Sequence, residues 1–308
     1  MTRLRHSQAG FLRLLQMGSA HVAVLVEGRV DRLFFDQLVS HELAARPALT
    51  ALIRTAREVM AGAGGKKALL SYYDYLRRRS ALVTELGGKK TSILICLDKD
   101  LDDLTGTRRR SRHVIYTEHF DVESYLFLHG DLVSATSAAT TLDRVTIDSV
   151  LAPAVTWTRR VSMRWREWVA ICVFEITNKC SSGGNYGVCP SPVHTPGGDL
   201  DGVRFGDRMA ALQQESGCPG PEFAARWDRV VRRVDRLFAR GKGDIVFKGK
   251  WYAWLLVVYV AGAVASRDVD LSKVRDELPK YLIQTLDFDL PWTTVLRGRL
   301  LEVLDSEF

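Results

Sequence analysis

The chain has 308 residues, enough for one large core or two modest domains, and its 46% hydrophobic and 26% charged content excludes a disordered chain. A formal net charge of +7 favours a polyanionic partner without establishing one. Five cysteines (Cys96, Cys172, Cys180, Cys189, Cys218) form no even disulfide framework, and Met1 to Met17 carries three arginines with no long apolar run. A reducing cytoplasm is therefore expected, and a secretory leader is not.

In chain order, residues 1–20 read as a helix with Phe11, Leu14, Leu15 and Leu4 on one face. His21 to Glu27 is a mostly apolar run that stops at Glu27-Gly28 and opens a helix from about Val30 to Leu43. Such a run, bounded by Gly and followed by an amphipathic segment, predicts a buried parallel strand turning into a helix. Pro47 and the Thr50–Ala56 region connect to a short second strand expected at Glu58–Ala61. Gly62-Ala-Gly64-Gly65-Lys66-Lys67 then opens a helix through Leu69, Tyr72, Tyr73 and Leu76. A glycine-rich turn at a helix start, with Lys66 and Lys67, suits either a plain turn or a phosphate contact; it lacks P-loop spacing.

Gly87-Gly88 introduces the next strand, Thr91–Leu97, which runs into Asp98-Lys-Asp100-Leu-Asp102-Asp103. Strand Val114–Thr117 and a helix beginning near Asp121 follow. The alternation predicts an α/β fold: a parallel, Rossmann-like sheet flanked by helices over residues 1–130. Residues 131–308 read as a mostly helical region for substrate or partner binding. It holds helices at Val133–Val155 and Val161–Ile176, and a long loop at 178–206 with seven glycines and three of the nine prolines. Within that loop Cys180, Cys189 and His194 lack the paired spacing of a structural zinc site. Phe223–Arg240 is the clearest helix, with an apolar stripe and a basic row that includes Arg229, Arg233 and Arg236. That row reads either as a solvated face or as a contact to phosphates. Trp157, Trp165 and Trp168, among arginines, read as core residues or as stacking platforms for bases. Trp251 to Ala265 is uncharged for fifteen residues, short of the roughly 20 needed to span a bilayer, so a buried helix and no membrane association are expected. Helices near Leu271–Leu286 and Thr293–Leu304 close the chain.

The chemistry concentrates at the strand ends. Glu27 follows the first strand and Asp98 another. If the backbone stays extended beyond Leu97, Asp98 and Asp100 point to the same side. Glu27, Asp98 and Asp100, with Asp102 assisting, would then form a set of hard oxygen ligands for Mg²⁺ or Mn²⁺. Asp31, one turn into the following helix, is placed to orient a ligand. Glu123 reads as a further ligand or as an acidic first-turn residue favoured by the helix dipole. Lys250, at a helix start, reads as a surface lysine or as a group reaching a phosphate or the carboxylates.

Glu27-Gly28-Arg-Val-Asp31, Asp98-Lys-Asp100-Leu-Asp102 and Tyr116-Thr-Glu-His-Phe120-Asp121-Val-Glu123-Ser-Tyr125-Leu126 carry a family resemblance. Strand–Glu-Gly followed by strand–Asp-x-Asp resembles the TOPRIM domain of topoisomerases, primases and OLD-type nucleases. Residues 92–129 are similar to a bacterial TOPRIM-like subgroup that includes the nuclease subunit of the two-gene PARIS anti-phage system. The second half matches that subgroup only loosely.

The resemblance implies a metal-dependent endonuclease acting on DNA or RNA, tRNA included, with Glu27, Asp98 and Asp100 as its catalytic residues. It implies control of a toxic effector by a separate ABC-type or OLD-like ATPase, and a second copy of the chain is a further candidate partner. The alternative is a non-catalytic TOPRIM-like module that binds nucleic acid or the ATPase.

Overall fold

The computed structural model describes residues 7–59, 64–180, 185–263 and 274–308. The readings at Leu4, Gly62 and Leu271 lie outside the described residues. The chain forms two compact units, one of Met1–Lys99, Arg108–Glu118 and Asp287–Phe308, the other of Asp100–Thr107 and His119–Leu286.

Among the described residues the first unit has a five-stranded sheet: β1 (Val22–Val26), β2 (Ala51–Thr55), β3 (Val83–Leu86), β4 (Lys89–Leu97) and β5 (Val114–Tyr116). β1 is apolar and buried at every position, as a strand covered on both faces must be. It pairs in parallel with β2, Val24 opposite Ile53, and with β4, Val24 opposite Leu94. The opposite edge of β4 is shared. Its first half pairs with β3 and its last three residues pair with β5.

Two expectations are corrected here. β3 runs antiparallel to β4, so the sheet is mostly parallel but mixed. Gly87 and Gly88 both have positive φ (60° and 77°), the backbone of a two-residue hairpin turn that closes β3 onto β4. The second strand lies at Ala51–Thr55, earlier than the expected Glu58–Ala61. Glu58 belongs instead to a short helix, Ala56–Val59, where its Oε2 accepts from Thr55 N (2.8 Å) and Thr55 Oγ1 (2.9 Å).

Helices α1 (Gln8–Met17), α2 (Arg29–Leu43) and α3 (Gly65–Arg78) pack on this sheet. Phe11 and Leu15 of α1 and Leu69, Tyr72 and Leu76 of α3 share one core with Ala23, Leu25, Ile93, Ile95 and Leu97. Phe34 of α2 meets Phe288 with ring centroids 5.7 Å apart, which brings in the chain terminus. The C-terminal helix, Thr294–Glu307, is tied to the same unit by ion pairs. Glu307 reaches Lys90 (2.7 Å) and Arg112, and Arg297 reaches Glu42 (2.5 Å).

The second unit is helical. Here α4 (Val122–His129), α5 (Arg166–Asn178), α6 (Gly220–Ala239) and α7 (Gly249–Ala263) bear on the argument. Trp157, Trp165, Trp168, Phe174, Phe247 and Trp251 are buried, so the three early tryptophans are core residues and not exposed stacking platforms. The expected helix Val133–Val155 breaks at Thr141, a left-handed residue. A new helix starts after Asp143, whose carboxylate accepts from Thr146 N at 2.8 Å. The expected helix Val161–Ile176 breaks at Trp165. The glycine-rich stretch ends sooner than 206, because Asp201 caps a helix that begins at Gly202. Among the described residues no helix is long and apolar enough to cross a membrane.

Candidate active site

Parallel pairing places Glu27 and Asp98 directly after adjacent strands, β1 and β4. Glu27 Oε1 accepts a hydrogen bond from the backbone N–H of Asp98 at 3.0 Å. That bond joins the two carboxylate-bearing residues across 71 positions of sequence. Asp98 is buried and Glu27 half-buried. Gly28 begins α2 with extended backbone, and a Cβ there would stand 3.1 Å from Asp31 Oδ2. A glycine therefore leaves room for the buried Asp31 carboxylate in the first turn. Burial, reinforced by Asp31, pushes the Cys96 thiol up, so Cys96 stays a neutral core group.

The start of α3 arrives at the same place. A Cβ on Gly65, whose φ is +71°, would lie 3.9 Å from Glu27 Oε2, so the N-terminus of α3 stands beside the Glu27 carboxylate. Lys66 is half-buried; its Nζ lies 3.5 Å from Lys99 O and 5.9 Å from the Tyr116 ring centre. Lys67, the second candidate in this turn, is exposed. Lys99 was missed from sequence. It is buried, its N–H donates to Thr117 Oγ1 at 2.8 Å and its ammonium donates to Glu118 O.

Asp100 departs from the extended geometry that would align it with Asp98. β4 ends at Leu97, and Asp100 has φ +48°, with its N–H donating to Phe120 O at 2.8 Å. The same-side argument from strand alternation therefore fails at that residue. Asp102 opens the short helix Asp102–Thr105, and its Oδ1 accepts from Thr107 Oγ1 at 2.9 Å.

The second unit assembles another polar group at the start of α4. Asp121 caps the helix: its Oδ1 accepts from Ser124 N (3.0 Å), Ser124 Oγ (2.8 Å) and Gly249 N (3.0 Å). Its Oδ2 is buried and without a hydrogen bond. Burial, then the neighbouring Glu123, pushes the Asp121 carboxyl up to about 7, against the pull of Lys250. Glu123, also buried, holds Lys250 Nζ at 3.4 Å from its Oε1. Two residues nominated separately, Glu123 and Lys250, are thus an ion pair. Asp121 and Gly249 were not candidate site residues in the sequence, because their contact spans 128 positions. Nearby, His119 Nδ1 bonds Asp244 Oδ2, and Phe120 N–H donates to Asp244 O at 2.9 Å.

No family model matches the chain, and no curated protein matches it. The chemistry of the site is read from its own residues.

Magnesium and manganese take hard oxygen donors. Glu27 and Asp98 are such donors, from neighbouring strand ends with a common hydrogen bond, so the donor type fits. A preassembled set does not accompany them: among the described residues no three His, Cys, Asp or Glu side chains are grouped to hold a metal. This also bears on the glycine-rich segment. His194 Nε2 donates to Arg164 O (3.0 Å), its Nδ1 accepts from Ser191 Oγ (2.8 Å), and burial lowers its pKa. Both ring nitrogens are thereby engaged within the fold.

Arg229, Arg233 and Arg236 lie on α6 of the second unit, all exposed.

Proposed function

We propose that this protein is a divalent-metal-dependent nuclease that hydrolyses phosphodiester bonds in DNA or RNA. The observation that carries the reading is the bond from Asp98 N–H to Glu27 Oε1, which joins two acidic strand ends beside the glycine-rich start of α3. The TOPRIM-like order of Glu27-Gly28 and Asp98-x-Asp100 supports it. Glu27 and Asp98 would hold Mg²⁺ or Mn²⁺; the places of Asp100 and Asp102 in that set rest on the sequence pattern alone. Such an ion, when bound, supplies charge to a scissile phosphate and acidifies a water. The protein's own part is to fix Glu27 through the Asp98 amide, to keep Asp31 at the turn, and to bring the Lys66 ammonium near the same strand ends. Glu27 is also the group placed to take or give a proton.

A nuclease of this kind in a bacterial cytoplasm needs restraint. The PARIS-like resemblance supplies a form for it: a toxic anti-phage effector held by a separate ATPase. The second reading, a non-catalytic module that binds nucleic acid or the ATPase, draws on the lack of a three-ligand group among the described residues.

The test is cleavage of mixed DNA and RNA with Mg²⁺ or Mn²⁺. Wild-type protein should yield products, whereas Asp98→Asn and Glu27→Gln, with unchanged melting temperature, should yield none. Equal product from the double variant Glu27→Gln/Asp98→Asn would sink the nuclease reading. In cells, wild type should slow growth more than Glu27→Gln, and the co-expressed ATPase should relieve the effect and co-purify.

A further inference from the structure

Helix α6 has a buried side and an arginine side. Phe223, Val230, Val234 and Phe238 are buried, and Phe174 of α5 meets Phe223 and Trp227 with ring centroids 5.2 and 5.9 Å away. At about 100° per residue, Arg229, Arg233, Arg236 and Arg240 fall within roughly 60° of arc, centred about 125° round the helix from the buried side, and Arg232 flanks them. All five are exposed. From Arg229 to Arg240 the row extends about 16 Å along the helix.

A solvated face that serves stability interleaves acids with its cations, because like charges three and four residues apart destabilise a helix. The row does not. The helix has three acids, Glu222, Asp228 and Asp235. Glu222 pairs with Arg226 (2.5 Å) and Asp235 with Arg166 (3.3 Å), so both are turned to other partners. Asp228, at i,i+4 from Arg232, makes no ion pair with it. Among the described residues the five arginines of the row have no ion pair. Among the described residues no ion pair offsets their mutual repulsion.

The chemistry of the row selects its partner. A lipid surface is bound by an amphipathic helix through its apolar side, and the apolar side of α6 is buried. A protein interface needs an apolar or aromatic anchor amid its charges, and none stands among these arginines. A polyphosphate backbone needs only what the row offers: planar, permanently charged forks that grip phosphate oxygens in pairs. Phosphates of one strand recur about every 3.4 Å along a duplex, so a row of this length faces several of them. We propose that the exposed arginine face of α6 binds the sugar–phosphate backbone of a nucleic acid. The identity of that polyanion rests on the nuclease reading; the site itself does not.

The test measures binding without cleavage. Full-length Glu27→Gln protein, in the absence of divalent ions, is titrated with labelled single-stranded RNA and with duplex DNA at several salt concentrations. Adding Arg229→Gln, Arg233→Gln and Arg236→Gln should weaken binding and lower the log–log salt slope by about 2 on single strands and nearly 3 on duplex. A charge-matched triple, Arg13→Gln, Arg78→Gln and Arg159→Gln, should leave the slope near its starting value. An equal fall with both triples, an unchanged slope, or binding only to anionic vesicles would overturn the proposal. Circular dichroism of the arginine variant should match the parent and its melting point should be no lower, since every replaced side chain is exposed and the row's mutual repulsion is relieved. Binding that depends on the row while wild-type protein cuts nothing would uphold this site and refute the nuclease; the reverse result would do the opposite.

Discussion

The two units build polar groups by different routes. In the first, backbone geometry does the placing: β1 and β4 pair in parallel, both end at an acid, and the Asp98 amide meets the Glu27 carboxylate. In the second, packing does it: the start of α7 presses on the start of α4, and Asp121 and Glu123 find partners at Gly249 and Lys250. A strand-end site follows from where strands stop. A helix–helix site exists only if the helices approach closely enough. The first kind should tolerate changes in side-chain volume nearby, and the second should not.

The sharpest way to break this comparison is Gly249→Ala. A Cβ there would come within 2.2 Å of Ser124 N and 2.3 Å of Asp121 Oδ1, both held in the helix cap, so the two helices must separate. The expected loss is about 3 kcal/mol or more, read as a fall in unfolding midpoint. A variant that melts with wild type would mean that the approach of α7 to α4 is not tight in solution.

pH divides the units next. The folded Asp121 carboxyl is raised to about 7 from an ordinary 3.8, by burial first and Glu123 second. A raised acid binds its proton more tightly in the folded state. Its stabilising contribution is therefore fully present below about 4 and is lost as pH climbs towards 7. Glu307, in the first unit, is the reverse. Burial pushes its carboxyl up, but Lys90 and Arg112 outweigh that and hold it below the usual 4.5. Its contribution is present above that value and fades as pH falls through the lowered one. Asp121→Asn should flatten the loss of stability between pH 5 and 7, and Glu307→Gln should flatten the loss in acid. Identical pH profiles for both variants and wild type would remove the electrostatic half of the comparison.

The smallest effect expected is that of Glu307→Gln at neutral pH. Arg112 and Lys90 are both more than a third exposed, so water screens the pairs and about 1 kcal/mol is at stake. Chemical denaturation resolves a change of that size. A loss as large as that of Gly249→Ala would show that the C-terminal helix depends on its charges more than on its buried Leu296, Leu300 and Val303.

Much of the first unit was legible in the sequence, because a strand buried on both faces has to be an unbroken apolar run. Val22–Val26 and Ile93–Leu97 are such runs, and Glu27 and Asp98 were found as the residues that end them. β2 was not, because Ala51-Leu-Ile-Arg-Thr55 is only partly buried and carries an arginine. β3 was not either: Val83-Thr-Glu-Leu86 lies at the margin with two exposed positions, and pairing with β4 sustains it. The alignment of Asp100 with Asp98 was conditional on an extended chain, and the backbone turns left-handed at Asp100 instead.

By itself, then, the sequence determined the elements whose physics is local: apolar strands, the glycine turn, the amphipathic α6 and its arginine row. Tertiary structure alone decided which strand ends adjoin, that residues 287–308 join the first unit, and that Asp121 is held by Gly249. It also decided that Trp157, Trp165 and Trp168 are core and that both ring nitrogens of His194 are engaged. The reason is physical. Periodicity records which side of an element is buried, whereas a partner more than a hundred residues away is chosen by the packing of whole helices, which leaves no local pattern.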